Sequence, residues 1–350
     1  MRLGLNIGYW GAGNGPQDVE LAVAADELRY DSVWAAEAYG SDAVSVLAWI
    51  GARTSRIALG SAVLQIPART PAMTAMTAAT LDTLSGGRVR LGLGVSGPQV
   101  SEGLYGVGFA RPLARTREYV DVVRLALERK PVEYAGRHHT LPLPGGPGKA
   151  LRLTARPVQE RLPIYLAAVG PHNLELVGEI ADGWLGIFVD PDGLAATTAS
   201  IAAGAARAGR SLADVDLVAN VSVAVDDDVR RAAARLAPTW ALYIGGMGSR
   251  EDNFYNRLAV RMGFEREAAR IQDLYLAGRP RDAAAQVPVD LVDATALIGP
   301  VDRVVRRADR YARAGVGTLA VSPVAATVTE KLSVIRSLSV LVRDDERSGA

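Results

Sequence analysis

The sequence predicts a (β/α)8 TIM barrel of the α/β class, with loop insertions, as a single domain over residues 1–350. Short β-branched or leucine-rich runs alternate with longer segments of helical period along the whole chain, which is typical of a parallel sheet covered by helices. Eight such runs are present, whereas open doubly wound sheets more often stop at five or six strands. A closed barrel needs about 250 residues, so this chain has room for insertions.

Each predicted strand is a short apolar run, and each is followed by a segment of helical period. The strands are Leu3–Gly8, Ser32–Ala36, Ile57–Val63, Val89–Val95, Ile164–Ala168, Gly183–Phe188, Asp216–Val225 and Thr318–Ser322. The helices are Pro16–Arg29, Ser41–Thr54, Pro71–Leu84, Pro112–Glu128, Pro171–Ala181, Asp192–Ala208, Asp226–Leu242 with a further stretch to Ala314, and Thr327–Val342. Proline in the first turn marks the helix starts in "TPAMTA" and "GPHNLE".

Three segments are longer than ordinary connections. Lys130–Leu162 is rich in glycine and proline, and Tyr243–Pro300 looks helical, so we expect insertions near 130–162 and 243–300. The third segment, "GVSGPQVSEGLYGVGF", follows the fourth strand. Active sites of such barrels are built from the loops after the strands, and glycines allow close backbone approach to a ligand. We expect a binding loop here, and a plain surface insertion is the alternative.

The amino-acid composition limits which functions and partners are expected. The 39 basic and 38 acidic side chains give a net charge of +1, so no overall field favours nucleic acid or a membrane, and a small-molecule substrate is expected. The absence of cysteine excludes disulfides, thiolate metal sites and a cysteine nucleophile, and fits the cytoplasm. The N-terminal "MRLGLNIGYW" is typical of a strand rather than a signal peptide, and no apolar run approaches the ~20 residues that span a bilayer.

Three phrases resemble the luciferase-like monooxygenase family, and within it the branch that uses the deazaflavin coenzyme F420. They are "LDTLSGGRVRLGLGVSG", "LGSAVLQIPARTPAMTAMTAATLD" and "PIYLAAVGPHNLELVGEIADGW". The phrases "GVSGPQV", "PLARTREYVDVVR" and "ALYIGGMGSREDNF" resemble one actinobacterial subgroup. The resemblance implies an oxidoreductase that transfers a hydride between F420 and a small organic substrate, and a homodimer. An FMN-dependent monooxygenase and a non-catalytic cofactor-binding protein of this fold are the alternatives.

The resemblance also implies a cofactor site. In "LGSAVLQ" it implies a non-proline cis peptide between Ala62 and Val63, in a bulge that backs the cofactor ring. The turn in "AAVGPHN" opens a helix, and its backbone N–H groups suit a phosphate. The cofactor-binding candidates are Ser61, Ala62, Val63, Gly94, Val95, Ser96, Gly97, Ala168, Val169, Gly170 and Pro171. Three arginines are further candidates for holding the acidic tail of the coenzyme or an acidic substrate, with solvated surface side chains as the alternative: Arg69, Arg111 and Arg115.

Two departures from a sugar-phosphate dehydrogenase of the family concern catalysis. That relative has a catalytic glutamate where this chain has Pro98, and an Asp-His pair where this chain has Glu37 and Ala38. Glu37 is therefore the catalytic candidate, as a ring-contacting or proton-handling group; a solvated loop carboxylate or a helix N-terminal charge is the alternative. Asp42 is expected to cap a helix.

Aromatic side chains after the first two strands are candidates for the substrate pocket. They are Tyr9, Trp10 and Tyr39. Packing at the barrel rim is the alternative for Tyr9 and Trp10. The histidines His138, His139 and His172 lack metal-ligand spacing, so no metal is assigned.

Overall fold

Eight parallel strands close into a barrel in the computed structural model, which describes residues 1–9 and 15–342. In this part of the chain the strands are β1 Arg2–Gly8, β2 Ser32–Ala35, β3 Ala58–Ser61, β4 Leu64–Gln65, β5 Val89–Gly94, β6 Tyr134–Ala135, β7 Thr140–Leu141, β8 Ile164–Ala167, β9 Gly183–Ile187, β10 Asp216–Val225, β11 Leu297–Gly299 and β12 Thr318–Pro323. The helices are α1 Asp18–Glu27, α2 Ala43–Gly51, α3 Pro71–Ser85, α4 Pro98–Ser101, α5 Pro112–Leu127, α6 Pro171–Ile180, α7 Leu194–Arg207, α8 Val229–Ala241, α9 Phe254–Arg261, α10 Glu265–Leu276, α11 Pro280–Ala285, α12 Val289–Thr295, α13 Val301–Arg313 and α14 Val328–Leu338.

The barrel consists of β1, β2, β3, β5, β8, β9, β10 and β12, paired in that order, and β12 pairs with β1 to close it. All these pairings are parallel. The TIM-barrel prediction is therefore confirmed, and each of the eight predicted strands is present. The predicted strand Ile57–Val63 ends early, at Ser61, and the short β4 continues the pairing with β5.

The phrase "TPAMTAMTAATLDTLSGGR" folds as a capped helix. The Thr70 side chain accepts the N–H of Met73, Pro71 occupies the first turn, and Gly86 ends α3 with φ +71°. A left-handed residue at a helix end favours glycine because it has no Cβ. The carboxylate of Asp82 is fully buried and accepts the N–H of Gln159 at 2.9 Å, so the phrase also ties α3 to the first insertion.

Large side chains fill the barrel interior. Trp34 is fully buried and meets Tyr165 edge to face, with ring centroids 5.3 Å apart. A Cβ on Gly60 would lie 2.2 Å from the Trp34 ring, so this strand position requires glycine. At the amino ends of the strands, Asp216 pairs with Arg2 at 2.6 Å and accepts the Tyr165 hydroxyl at 3.1 Å. These described side chains therefore fill the barrel near the amino ends of its strands.

The two predicted insertions differ in character. The first contains the antiparallel pair β6–β7, and its backbone N–H groups at 137–139 donate to the Glu118 carboxylate. The second was expected to be helical, and it contains a π-helical turn, Leu242–Gly246, followed by α9 to α12. It forms its own apolar cluster with α8, which places it over one side of the barrel mouth. The assignment of residues 1–350 to one domain stays a prediction.

Within the described ranges, no helix has the combination of length and apolar composition that crossing a bilayer requires.

Candidate active site

A cavity of about 1120 Å³ lies at the carboxyl ends of the barrel strands. Its walls come from the segments that follow β1, β2, β3, β5, β8 and β9, together with the second insertion. The wall contains the sequence-predicted residues Tyr9, Glu37, Tyr39, Ala62, Val63, Gly94, Val95, Ser96, Gly97, Ala168, Val169, Gly170 and Pro171. Trp10 lies outside the described residues. The loops singled out from the sequence are thus brought together around one cavity.

The bulge after β3 contains a cis peptide between Ala62 and Val63, the bond that the family resemblance implied. Both residues face the cavity. Ser61 does not: it is buried, its hydroxyl donates to the Gly92 carbonyl at 2.8 Å, and its Oγ accepts the Gly92 N–H at 2.9 Å. The Ser61 side chain therefore joins β3 to β5 and is not among the residues that line the cavity, and its role in cofactor binding stays a prediction.

The glycine-rich loop after β5 packs closely on this bulge. A Cβ on Gly94 would lie 2.4 Å from Cγ2 of Val63, so only glycine fits there without displacing the bulge. Ser96 follows with φ +65°, and Gly97 precedes the short α4, where a Cβ would make ordinary contact with Gln99 Oε1 at 3.7 Å. The loop presents backbone rather than side chains to the cavity, as the sequence predicts for a binding loop.

The start of α6 forms another part of the wall. Gly170 is the N-cap and Pro171 the first helical residue, and the first turn contains no acidic side chain. The free N–H groups and the helix dipole favour an anion at such a helix start. The exposed Arg261 lies close by, because its Nη2 donates to the Val169 carbonyl at 3.3 Å. Arg111 and Arg257 also line the cavity and are exposed, so the mouth is cationic.

Glu37 is buried and well supplied with hydrogen-bond donors. Its carboxylate accepts the N–H groups of Ala43 and Gln65, both at 3.2 Å, and pairs with Arg69 Nη2 at 3.1 Å. Burial lowers the pKa of Arg69, but hydrogen bonds and charges from Glu37 and Asp42 outweigh it and raise that pKa above its usual range. Glu37 thus ties the end of β2 to the bulge. Glu37 also lines the cavity, and its catalytic role stays a prediction.

The neighbouring charged candidates have structural partners. Asp42 accepts the Ser45 N–H at 2.8 Å and caps α2, so the expected cap is confirmed. Arg69 also contacts the Asp42 carboxylate. Arg115, in α5, donates to the Gly108 carbonyl at 2.6 Å, so its side chain lies against the loop after α4, and it is not among the residues of the cavity wall.

Gln65 is a wall residue that the sequence interpretation missed. It is 4% exposed, and its Nε2 donates to the Glu37 carbonyl at 2.9 Å. Its Oε1 is buried and has no hydrogen-bond partner among the described residues. A buried acceptor without a partner is unfavourable, so this atom is available for a donor on a bound molecule. Its position in "LGSAVLQ", two residues after the bulge, could have indicated from the sequence that Gln65 lies at the cavity.

An aromatic wall faces the cavity from the side of β9 and the second insertion. The Phe188 ring meets the rings of Trp240 and Tyr243 edge to face, with centroids 4.8 and 5.1 Å apart. Tyr243 and Tyr255 meet in the same way at 4.7 Å. Of the described sequence-predicted pocket residues, Tyr9 reaches this wall, with its hydroxyl 3.5 Å from that of Tyr243, whereas Tyr39 is 64% exposed at the rim.

Amide and hydroxyl side chains form the floor of the cavity. Asn6 Nδ2 donates to Asn220 Oδ1 at 2.9 Å, Asn220 donates to the Gly186 carbonyl at 3.2 Å, and Ser322 donates to the Asn6 carbonyl at 3.1 Å. These polar groups are therefore fixed by one another. Within the described part of the chain, no three His, Asp or Glu side chains come close enough together to hold a metal ion.

Comparisons with known proteins agree with this architecture. The sequence model of the luciferase-like monooxygenase family matches residues 11–318. A Mycobacterium tuberculosis protein named as a candidate coenzyme F420-dependent oxidoreductase is 44% identical over 342 residues, covering 96% of this chain and 99% of that protein. The 5,10-methylenetetrahydromethanopterin reductase of Archaeoglobus fulgidus is 29% identical, covering 83% and 85%.

A solved structure is also similar over nearly the whole chain. The coenzyme F420-dependent tetrahydromethanopterin reductase of Methanopyrus kandleri superposes with a TM-score of 0.82 at 25% identity, covering 98% of this chain and 99% of that one. The family match spans most of the chain, and the Mycobacterium tuberculosis relative matches nearly end to end. The chain therefore belongs to the luciferase-like monooxygenase family.

Proposed function

We propose that the protein is an F420-dependent oxidoreductase that transfers a hydride between the deazaflavin and a small organic substrate. The main support for this proposal is the similarity to proteins whose names include F420. The Mycobacterium tuberculosis relative is 44% identical over 96% of this chain. The cavity at the carboxyl ends of the strands supports it, since barrels of this kind place their active sites there.

The residues of the cavity fit the coenzyme. The bulge at Ala62 and Val63 offers a convex backbone surface to a flat ring, and the glycines of the loop after β5 leave space beside it. The unpartnered Gln65 Oε1 is an acceptor suited to a ring N–H. The start of α6 and the cationic mouth suit the phosphate and carboxylates of the coenzyme tail.

The work of the protein is binding, orientation and exclusion of water. The bound coenzyme supplies the hydride chemistry at its central ring carbon. The aromatic wall removes water from the opposite side of the cavity, which strengthens polar interactions within it. Glu37 and Arg69 fix the bulge and Gln65, because their hydrogen bonds join the end of β2 to β4. Precise placement of the reacting partners is itself a large part of rate enhancement.

The finer predictions on assembly and location belong to the same proposal. A homodimer is supported by exposed apolar side chains on α2 and α3, namely Trp49, Met73 and Met76. Sedimentation of the purified protein tests it, and a monomer at micromolar concentration contradicts it. The cytoplasm remains the proposed compartment, on the absence of cysteine.

Titration of the purified protein with oxidised F420 and separately with FMN tests the cofactor. Tight binding of F420 with no binding of FMN supports the proposal. Preference for FMN favours the alternative, an FMN-dependent monooxygenase, and binding of neither overturns the cofactor assignment. Single-turnover oxidation of bound reduced F420 by added carbonyl compounds then separates an oxidoreductase from a non-catalytic carrier, because a carrier leaves the coenzyme reduced.

A further inference from the structure

The part of the cavity opposite the proposed coenzyme site has a composition of its own. In the circular order of the barrel, β10 lies across from β3, and β1 lies across from β8. The candidate coenzyme residues follow β3, β5 and β8. The remaining space is therefore bounded by β1, β9 and β10 and by the second insertion, and we refer to it as the distal chamber.

The distal chamber is walled by aromatic rings. Phe188 follows β9, Trp240 lies in α8, and Tyr243 lies in the π-helical turn. Their edge-to-face contacts, at 4.8 and 5.1 Å between centroids, hold the rings in fixed orientations. Such a wall favours an apolar molecule, because burying apolar surface against it is the main available gain in free energy.

The charged side chains of the described cavity wall lie at the mouth or are already paired. The arginines among the described wall residues, Arg111, Arg257 and Arg261, are all exposed at the mouth. Glu37 is buried, but Arg69 and two backbone N–H groups already compensate its carboxylate. Below the mouth, an anionic or cationic group entering the distal chamber would lose its hydration without gaining an unpaired charged partner among the described residues, which is strongly unfavourable. This chamber therefore excludes charged substrates.

One polar group in the chamber is incompletely satisfied. The Tyr243 side chain is 9% exposed, and its hydroxyl oxygen lies 3.5 Å from that of Tyr9, beyond the usual 2.5–3.0 Å of an O–H···O hydrogen bond. Burial raises the pKa values of Tyr9 and Tyr243, so both phenols stay protonated near neutral pH. The Tyr243 backbone is fixed, because Asn253 Nδ2 donates to its carbonyl at 3.0 Å. A ligand oxygen would give this hydroxyl a better acceptor.

We propose that the distal chamber binds an uncharged, largely apolar carbonyl compound, and that the Tyr243 hydroxyl donates a hydrogen bond to its oxygen. This inference rests on the proposed function, since it names the substrate class of the same site. Under this proposal the segment "ALYIGGMGSREDNF" takes part in substrate binding. It contains Tyr243 and also Asn253, whose side chain donates to the Tyr243 carbonyl. Glycine is required within that phrase, because a Cβ on Gly246 would lie 2.4 Å from the Tyr275 ring.

Calorimetric titration with three matched naphthalenes tests the proposal, on the protein with and without bound F420. The probes are 2-acetylnaphthalene, its oxygen-free analogue 2-isopropenylnaphthalene, and the anionic 6-acetyl-2-naphthoate. We expect the ketone to bind most tightly and the naphthoate most weakly. Tyr243→Phe should weaken ketone binding about 3- to 10-fold, the loss of one hydrogen bond, and leave the hydrocarbon unchanged.

Tyr275→Phe is the matched control, because it removes a phenol hydroxyl from the same insertion at a residue outside the cavity wall. It should leave all three affinities unchanged. Equal ketone binding by the parent protein and Tyr243→Phe overturns the inference, and so does tighter binding of the naphthoate. F420 affinity, measured on every variant, reports separately on the proposed function: its absence in the parent protein refutes that function, while the probe comparison on the unloaded protein still tests the chamber.

Discussion

Arg69 and Glu37 form an ion pair beneath the rim of the cavity, with Arg69 Nη2 3.1 Å from Glu37 Oε2. The side chains are 20% and 6% exposed, so the pair is largely withdrawn from water. The two residues lie 32 positions apart in the chain, at the end of β2 and in the loop before α3. The pair therefore joins two neighbouring β/α units at the point where the cis-peptide bulge faces the cavity.

Removal of Arg69 should destabilise the fold. Arg69→Leu leaves the buried Glu37 carboxylate without its cation, and losing one partner of a buried pair costs about 3–5 kcal/mol; the partial exposure of Arg69 favours the lower end. Urea denaturation measures this loss in the free energy of unfolding. Arg53→Leu is the control, because its pair with Glu20 is exposed on both sides and should contribute below about 1 kcal/mol. Equal losses for the two variants would contradict the structural role.

Gln65→Met should separate coenzyme affinity from stability. The substitution removes one hydrogen bond to the Glu37 carbonyl but also removes the unpartnered Oε1, so the free energy of unfolding should change by less than about 1 kcal/mol. F420 affinity should fall about 3- to 10-fold, because the acceptor for the coenzyme is lost. Fluorescence titration measures the affinity, and urea denaturation measures the stability.

Gln272→Met provides the opposite pattern. Gln272 is also buried, but its Nε2 donates to the Ser249 carbonyl away from the cavity. Its substitution should lower stability and leave F420 affinity unchanged. If Gln65→Met binds F420 as tightly as the parent protein, the unpartnered oxygen is not part of the coenzyme site.

The barrel could be predicted from local patterns, whereas much of the cavity could not. Strands buried on both faces, such as β5 and β12, are short apolar runs between helices, so their number and order are visible in the sequence. The bulge at Ala62 and Val63 was expected only from family resemblance, since nothing in the residue types requires a cis bond. Local patterns thus predict the scaffold and leave the details of the wall open.

Contacts between distant segments explain what the sequence did not indicate. Tyr9 and Tyr243 are 234 positions apart, yet their hydroxyls meet in the cavity. Glu37 is a catalytic candidate from its position in the sequence, whereas its pairing with Arg69 becomes visible only when β2 and β3 are adjacent. The hydrophobic periodicity of the sequence indicates which face of a helix or strand is buried. It does not indicate which loop extends across the barrel mouth.

Acid should destabilise the fold partly through Asp182. Burial raises the pKa of this carboxyl, but Arg124, the Ile164 N–H and Arg161 outweigh it and lower the pKa below its usual value. A lowered pKa in the folded state adds stability above the unfolded pKa of roughly 3.9, and this stability is lost as the pH falls through the folded value. Asp182→Asn should therefore be less stable than the parent protein near neutral pH.

The difference between the two proteins should shrink as the pH falls below about 4. Urea denaturation at a series of pH values measures it. Arg124→Leu removes the main source of the lowered pKa and should show the same smaller dependence on acid. A constant difference between parent protein and Asp182→Asn across the series would contradict the assignment.

The cationic mouth should contribute to binding of the coenzyme tail and not of its ring. Arg261 lies beside the start of α6, where its guanidinium donates to the Val169 carbonyl. Arg261→Met should weaken F420 binding about 3- to 10-fold at low salt, since hydrogen bonds to charged groups exceed neutral ones. It should leave binding of the tail-free deazaflavin chromophore unchanged, because that ligand lacks the phosphate and carboxylates. The loss should diminish as salt is added, since charges at an exposed mouth are screened.

Arg281→Met, on the exposed surface of α11, is the control and should leave F420 binding unchanged. Equal weakening of both ligands by Arg261→Met would place Arg261 against the ring instead, and would refute an anion site at the start of α6.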